Sequence, residues 1–291
     1  MNLREGDSVF DKKQFAHVFD VDQFKKLVID LTGTDLVIRQ DEHPGIIYHD
    51  EKNDHARLEL KQDGTTLKIK EKRGLKGLKH SMAFKFMIGK RRLEVSLPKK
   101  NFEKLTAKVN SCDVAVSNVT LPELSLTTGS GAVTIAYSKI EQFKMASKDS
   151  NLVMKMTDIQ KMILDDITGS VMIDQVNLLD NITASINEGD LKMINMEMHD
   201  GLITLGSGDV RVRNFKVTGD FKLTTDVGDL SLKAITAPTI TIAAVRGNDL
   251  ENPAVVKGLP MHEQGMAGAT FLTTAGHLDV YKDIEISRNE D

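Results

Sequence analysis

Three consecutive stretches of the chain carry the same pattern of residues. They read Ile182-Thr-Ala-Ser-Ile-Asn-Glu-Gly-Asp-Leu191, Gly201-Leu-Ile-Thr-Leu-Gly-Ser-Gly-Asp-Val210 and Phe221-Lys-Leu-Thr-Thr-Asp-Val-Gly-Asp-Leu230. The pattern extends in both directions as a unit of 19 or 20 residues, whose copies start at Leu105, Leu124, Phe143, Met162, Ile182, Gly201, Phe221 and, more weakly, Ile240. Such a period predicts a repeat fold in which successive units stack on one another.

Apolar residues recur at five positions of this unit, namely 1, 3, 10, 12 and 17. In the first seven units, 34 of the 35 residues at these positions are apolar, whereas the overall hydrophobic content of 40% would give about 14. Position 10 reads Val114, Val133, Leu152, Val171, Leu191, Val210 and Leu230. Apolar residues two positions apart are typical of strands, and no helical stripe runs through the repeat.

The repeat therefore predicts an all-β fold, a single-stranded right-handed parallel β-helix (β-solenoid) with coils of about 19–20 residues. The strands of one unit bury only one face, so the units must stack, with about 4.8 Å between equivalent strands. Right-handed coiling follows from the crossover rule for parallel strands. We expect one continuous structural domain with three parts: an irregular N-terminal cap (1–104), regular repeats (105–250), and a loop excursion with a C-terminal coil (251–291).

Weaker copies of the unit lie outside the regular repeats. Leu27 to Leu36, Leu58 to Leu67 and Phe84 to Leu93 keep the nine-residue offset between the two strands of a coil, and Phe271 to Val280 resembles a last coil. We expect these segments to form atypical terminal coils, because the open ends of a solenoid expose strand edges.

A small residue followed by Asp or Asn stands between the two strands of most units. Position 8 is occupied in the first seven units by Cys112, Gly131, Ser150, Gly169, Gly189, Gly208 and Gly228. This is the chemistry of a tight turn that needs positive φ and a side chain able to bond to nearby backbone. The same corner is therefore expected in every coil.

Four stretches carry a resemblance to a known family. Leu124-Ser-Leu-Thr-Thr-Gly-Ser-Gly-Ala-Val133, the stretches 203–210 and 221–230 quoted above, and Val28-Ile-Asp-Leu-Thr-Gly-Thr-Asp-Leu-Val37 resemble a bacterial family of β-strand-repeat proteins of unknown function that are labelled adhesins. The resemblance covers roughly residues 20–285. It implies an adhesin-like β-solenoid with a role in adhesion or surface display, and it transfers no catalytic residue.

Composition limits the classes of function. The net charge of −4 argues against a wholly basic nucleic-acid binder, and the single cysteine, Cys112, allows no intramolecular disulfide. No apolar run approaches the roughly 18 residues of a membrane span, and the first ten residues lack the apolar stretch of a signal peptide. We expect a cytoplasmic protein, although the adhesin label implies the cell surface. The sequence carries no nucleotide-binding, catalytic-serine or metal-ligand motif, so no cofactor, catalytic residue or metal site is predicted.

Asp190, Asp209 and Asp229 occupy position 9 in three consecutive coils. Stacked carboxylates repel one another unless a cation lies between them or solvent screens them, so they are candidates for a cation or ligand ladder. The alternative is that Asp stands there only because it suits a turn.

The segment 61–108 is strongly basic. It holds 15 Lys or Arg residues and four acids, a net of +11. The residues of a candidate anion-binding patch are Lys68, Lys70, Lys72, Arg73, Lys90, Arg91 and Arg92. Such a segment can bind an anionic polymer or a membrane surface. Alternatively, lysines on exposed strands serve to prevent edge-to-edge association.

Three functions are compatible with these patterns. The first is a non-enzymatic, adhesin-like scaffold for binding or assembly, with an unknown protein or glycan partner and oligomers that form through the solenoid ends. The second is a carbohydrate-active solenoid enzyme that uses face carboxylates. The third is a module that docks on an anionic polymer or membrane surface through residues 61–108.

Overall fold

The computed structural model describes residues 14–18, 24–50, 57–72, 91–238, 240–244, 269–275, 278–280 and 284–286. The regular elements of these residues are all β-strands: β1 Gln14–Val18, β2 Lys26–Thr32, β3 Asp35–Gln40, β4 Gly45–Asp50, β5 Arg57–Asp63, β6 Thr66–Lys72, β7 Arg91–Leu97, β8 Lys104–Asn110, β9 Val114–Ser117, β10 Thr120–Ala136, β11 Lys139–Thr168, β12 Val171–Glu188, β13 Leu191–Ser207, β14 Val210–Val217, β15 Phe221–Val227, β16 Leu230–Ala237, β17 Ile240–Ala244, β18 Ala269–Ala275, β19 Leu278–Val280 and β20 Ile284–Ile286.

Equivalent strands of successive units pair in parallel and in register. Val114 pairs with Val133, Val133 with Leu152, and Leu152 with Val171. The same column continues through Leu191, Val210 and Leu230. These pairings confirm the predicted fold class, a parallel β-solenoid of about seven turns. Its handedness stays the prediction of the crossover rule.

The strands of the coils belong to one continuous hydrogen-bonded sheet. We divide each regular coil into three faces and call them the first sheet (positions 1–6), the second sheet (positions 10–13) and the third sheet (positions 15–17). All residues at the predicted inward positions except Gly201 are buried, and each fully buried Leu or Ile stabilises the fold by about 1.5–3 kcal/mol relative to an exposed one. The core is thus a narrow column between the three sheets.

Two further columns of inward residues were not predicted from the sequence. Position 15 is buried in all seven coils, as Val119, Ser138, Thr157, Val176, Met196, Phe215 and Ile235. Position 5 is inward in six of the seven coils, with Thr128, Ser147 and Thr225 among its buried members. In the remaining coil Asp166 is exposed, and Ile167 takes the inward place opposite Ile186. Both columns mix hydroxyl side chains with apolar ones, so a count of apolar residues does not reveal them.

Gly201 is the one residue outside the apolar set at the five predicted positions. A Cβ atom at Gly201 would lie 2.7 Å from Cγ2 of Ile182 and 2.8 Å from Cδ2 of Phe221. The Phe221 ring packs edge-on against Phe215, with ring centroids 5.0 Å apart. Gly201 is therefore part of the core packing, because the Phe221 ring takes the space that a larger side chain would fill.

The predicted glycine corner is present. Gly189, Gly208 and Gly228 have φ values of 126°, 133° and 139°. A Cβ atom on Gly208 would lie 2.2 Å from the carbonyl oxygen of Gly189, and one on Gly228 would lie 2.0 Å from that of Gly208. Glycine is needed here because each corner rests directly on the backbone of the preceding corner.

A second corner, at position 14, was not predicted. Its seven residues adopt left-handed backbone conformations with φ between 47° and 55°: Asn118, Tyr137, Met156, Gln175, Asn195, Asn214 and Ala234. Asn accepts this conformation more readily than other non-glycine residues. The sequence signal was the recurrence of Asn at three of the seven positions.

The N-terminal copies of the unit fold in two different ways. Leu27 pairs with Leu105 and Leu36 with Val114, so Leu27 to Leu36 is a true coil. Leu58 to Leu67 is not a coil, because β5 and β6 form an antiparallel hairpin. A nine-residue offset with alternating burial fits a hairpin as well as a coil corner, and this made the prediction wrong. Phe84 lies outside the described residues.

At the C-terminal end the order of the strands differs from the order of the chain. Ile240, the start of the eighth unit, does not stack on Phe221. Instead, Phe221 pairs with Ala269, and Ala269 pairs with Ile240, so β18 lies between β15 and β17. The predicted last coil is nevertheless present, since Phe271 pairs with Leu223. The repeat indicates what forms a coil, but it does not determine which coil becomes its neighbour.

Candidate functional site

Asp190, Asp209 and Asp229 form a row along the glycine corner. The backbone N–H of Asp209 donates to Oδ1 of Asp190 at 3.1 Å, and that of Asp229 donates to Oδ1 of Asp209 at 3.0 Å. Asn151 accepts in the same way from the N–H of Ser170 at 2.8 Å. Because a neutral amide does the same work, this hydrogen bond requires an acceptor and not a negative charge.

The row leaves one oxygen of the Asp190 carboxylate and one of the Asp209 carboxylate outside these backbone hydrogen bonds. In the part of the chain that the structure describes, no three His, Cys, Asp or Glu side chains form a group that could hold a metal ion. The cation or ligand ladder at Asp190, Asp209 and Asp229 therefore stays a prediction.

Lys68, Lys70 and Lys72 stand on the outward side of β6, which is the outermost parallel strand of the first sheet. Lys68 lies 2.7 Å from Asp63, Lys70 lies 3.7 Å from Asp30, and Lys72 lies 2.8 Å from Glu59. The hydrogen bonds from Lys68 and Lys72 lower the pKa values of Asp63 and Glu59. The three lysines are thus together on one surface, each with an acidic neighbour.

Arg91 does not belong to that surface. Its side chain is 5% exposed and its Nη1 lies 2.6 Å from Oε1 of Glu71, whose own side chain is 1% exposed. The other oxygen of Glu71 accepts the backbone N–H of Thr32 at 2.7 Å. The guanidinium of Arg91 joins the terminal coils from inside, so its place in the predicted patch was wrong.

The remaining members of the candidate patch are divided. Arg92 is exposed on β7, in the second sheet, where it lies 3.7 Å from Glu94. Arg73 and Lys90 lie outside the described residues. The basic segment is therefore not one surface, because Lys68, Lys70 and Lys72 lie on β6 in the first sheet and Arg92 lies on β7 in the second.

The first sheet also brings together lysines that the sequence separates. Two outward rows run at right angles to the strands. In the five strand segments at the N-terminal end of this sheet, Lys68, Val28, Thr106, Ser125 and Lys144 form one, and Lys70, Asp30, Lys108, Thr127 and Ala146 form the other. These ten positions hold four lysines and one aspartate. The rows could have been predicted from the alternation of side chains along a strand together with the distance of 19 or 20 residues between coils. A count of charged residues along the sequence did not reveal them.

Cys112 occupies the corner position that glycine holds in most coils. Its Sγ donates to the carbonyl oxygen of Asn110 at 3.1 Å, and burial raises the pKa of the thiol. A protonated, buried thiol is a poor nucleophile.

No helix long and apolar enough to cross a membrane occurs among the residues that the structure describes.

The solved structures that match this protein have low sequence identity to it. A candidate lipid-binding protein from Parabacteroides distasonis is 10% identical, with a TM-score of 0.47 over 94% of this chain and 98% of that chain. A candidate cell-adhesion protein from Clostridium sporogenes is 10% identical, with a TM-score of 0.31 over 92% and 98%. A candidate adhesin from Bacteroides fragilis is 12% identical, with a TM-score of 0.39 over 93% and 98%.

A comparison with curated proteins finds no match. The family comparison is different, since the Toastrack DUF4097 family matches residues 24–244, well over half of the 291 residues. The match spans the coil that begins at Leu27 and all seven regular repeats. The adhesin-like repeat family expected from the sequence is confirmed. The chain belongs to the Toastrack DUF4097 family.

Proposed function

We propose that this protein is a non-enzymatic, adhesin-like scaffold that binds an extended partner along the outward side of its sheets. The observation that carries the proposal is the register of the coils. Equivalent residues of successive coils stand in straight outward rows, as Thr106, Ser125 and Lys144 do in the first sheet. Such rows offer a long surface with an even spacing of about 4.8 Å, which suits an extended protein or glycan segment.

The architecture of the corners supports a rigid surface. Gly208 rests on the backbone of Gly189, and the carboxylate of Asp190 accepts the N–H of Asp209. A surface that is ordered before binding loses little conformational entropy when a partner binds, which favours affinity.

The alternative of a carbohydrate-active enzyme depends on the same aspartates. A glycosidase needs two carboxylates on opposite sides of the scissile bond, one as acid and one as base or nucleophile. Asp190 and Asp209 instead follow one another along a single edge, and each accepts a backbone N–H. This arrangement supports a structural role for the row.

Binding without turnover distinguishes the two functions. The full chain would be applied to an array of glycans and anionic polymers, and each bound ligand would be recovered and measured for length and new reducing ends. We expect bound ligands to keep their length. The Asp190→Asn, Asp209→Asn and Asp229→Asn triple variant keeps every hydrogen-bond acceptor and should bind as well as the parent. Shortened ligands, with the shortening abolished in this variant, would establish the enzyme instead.

A further inference from the structure

Three neighbouring lysines of the first sheet differ from the three lysines on β6. Lys108, Lys144 and Lys148 have no acidic side chain within 4.0 Å among the described residues, whereas Lys68, Lys70 and Lys72 each have one. Lys144 and Lys148 also lie outside the basic segment 61–108. Stacking of the coils brings them to the surface that carries Lys108.

The short side chains of Ser125 and Thr127 lie between the three lysines. Ser125 lies directly beside Lys144, and Thr127 lies directly beside Lys108. Adjacent strands are about 4.8 Å apart and residues two apart on one strand about 6.6 Å, so Lys144 and Lys148 stand about 13 Å apart and Lys108 about 10 Å from their strand. We call these five residues, Lys108, Lys144, Lys148, Ser125 and Thr127, the first-sheet patch.

We propose that the first-sheet patch binds a linear polymer that carries phosphate groups. This inference rests on the proposed scaffold function and names its partner. Lysine ammonium groups attract the negative charge of a phosphate, and the hydroxyl groups of Ser125 and Thr127 donate to its oxygens. Because the lysine side chains are longer than those of Ser125 and Thr127 between them, the ammonium groups flank a shallow groove that can hold a narrow polymer.

The surroundings of the patch favour a polymer over a bilayer. A membrane-binding surface combines basic residues with large apolar or aromatic side chains that enter the lipid. Among the ten residues described in the two outward rows, Val28 is the largest apolar one, and none is aromatic. The exposed Leu202 stands in the continuation of the first row, three coils beyond Lys144. Asp30, the acid in these rows, lies 3.7 Å from Lys70 and directly beside Lys108 in register. Opposite charges therefore balance at this end of the surface. Lys144 and Lys148 lie away from it, with Asp149 next to Lys148 in the chain and Asp165 at position 4 of the following coil.

The salt dependence of binding follows from the number of lysines. A flexible single chain releases about 0.7 counterion per neutralised phosphate, so three contacts give a slope of about −2 in log affinity against log salt. Affinity should then fall roughly ten- to twenty-fold between about 50 and 200 mM salt.

The test uses the full chain and long-chain inorganic polyphosphate. The Lys108→Gln, Lys144→Gln and Lys148→Gln triple variant should lose at least about tenfold in affinity and most of the salt dependence. The matched control, Lys139→Gln, Lys155→Gln and Lys192→Gln, removes the same charge from the second and third sheets and should change affinity less than about twofold. Far-UV circular dichroism and thermal unfolding verify that both variants fold.

Three outcomes would overturn the inference, and a fourth would overturn the scaffold function alone. An equal loss of affinity in both triple variants would show attraction by net charge alone. Tighter binding to anionic vesicles or to polyglutamate than to polyphosphate would name another partner. If the chain binds other ligands intact but not polyphosphate, the scaffold function stands and the phosphate polymer is wrong. If polyphosphate binds at the patch but glycans are shortened by the aspartates, the scaffold function is wrong and the patch stands.

Discussion

The backbone N–H of Asp229 donates a hydrogen bond to Oδ1 of Asp209, 3.0 Å away in the preceding coil. The two residues lie 20 positions apart in sequence, yet one completes the backbone bonding of the other. The same hydrogen bond joins Asp209 to Asp190 in the coil before, so the aspartate row has a structural role.

Removing the acceptor of this pair should weaken the fold, whereas removing only its charge should not. We expect Asp209→Ala to lower the free energy of unfolding by about 0.5–1.5 kcal/mol, because the N–H of Asp229 loses its partner. Asp209→Asn keeps the acceptor and should change stability by less than about 0.5 kcal/mol. Urea denaturation of both variants tests the prediction, and equal losses would contradict it.

The glycine corner should tolerate no side chain. Gly208→Ala places a Cβ atom 2.2 Å from the carbonyl oxygen of Gly189, at a φ of 133° that L residues rarely adopt. We expect a loss above about 3 kcal/mol or a failure to fold. The matched control is Gly64→Ala in the β5–β6 turn, where φ is 58° and a Cβ atom meets nothing within 4 Å. Its loss should be about 1 kcal/mol. Similar melting temperatures for the two variants would contradict the stacked corner.

The Asn-rich corner offers a stabilising substitution. Tyr137 holds a left-handed conformation with a φ of 52° while its side chain is 61% exposed. We expect Tyr137→Asn to raise the free energy of unfolding by about 0.5–1 kcal/mol, because Asn accepts this conformation at lower cost. Thr134→Asn, at an exposed strand position of the same coil, should be neutral or destabilising. A lower melting temperature for Tyr137→Asn would show that the tyrosine makes contacts that offset its strain.

The buried ion pair between Arg91 and Glu71 should behave as a unit. Arg91→Met alone leaves the carboxylate buried without its partner and should cost about 3–5 kcal/mol. Adding Glu71→Gln removes that charge and keeps an acceptor for the N–H of Thr32, so the double variant should recover much of the loss. Lys68→Met, which breaks an exposed pair with Asp63, should cost less than about 1 kcal/mol. A double variant that is no more stable than Arg91→Met alone would contradict the pairing.

The columns of the core could be predicted because they depend only on local alternation and on the period. Val114, Val133 and Leu152 stand nineteen residues apart, and a chain with that spacing buries them only by stacking. The second corner could have been predicted from Asn118, Asn195 and Asn214. It was not, because Tyr137 and Met156 occupy the same position and obscure the signal.

The terminal coils and the candidate patch could be predicted only in part. The pattern from Leu58 to Leu67 is compatible with both a coil and a hairpin. The unit that starts at Ile240 has the pattern of a coil, and nothing in that pattern prevents it from stacking on Phe221. Arg91 and Arg92 are adjacent in sequence, yet alternation along β7 sends one inward to Glu71 and the other outward to Glu94. A count of charges along the chain contains no information about which side of a strand each residue takes.

The amino-acid sequence by itself determined the repeating coil of this protein, its apolar columns and its glycine corner, since these depend on residues within one unit and on the constant distance between units. Only the tertiary structure decided which strands are neighbours at the two ends, which lysines share a surface and what the aspartates do. The physical reason is that these features depend on contacts between coils. The distance in sequence between two residues determines neither the side of the sheet on which each side chain lies nor the residue that faces it in the neighbouring coil.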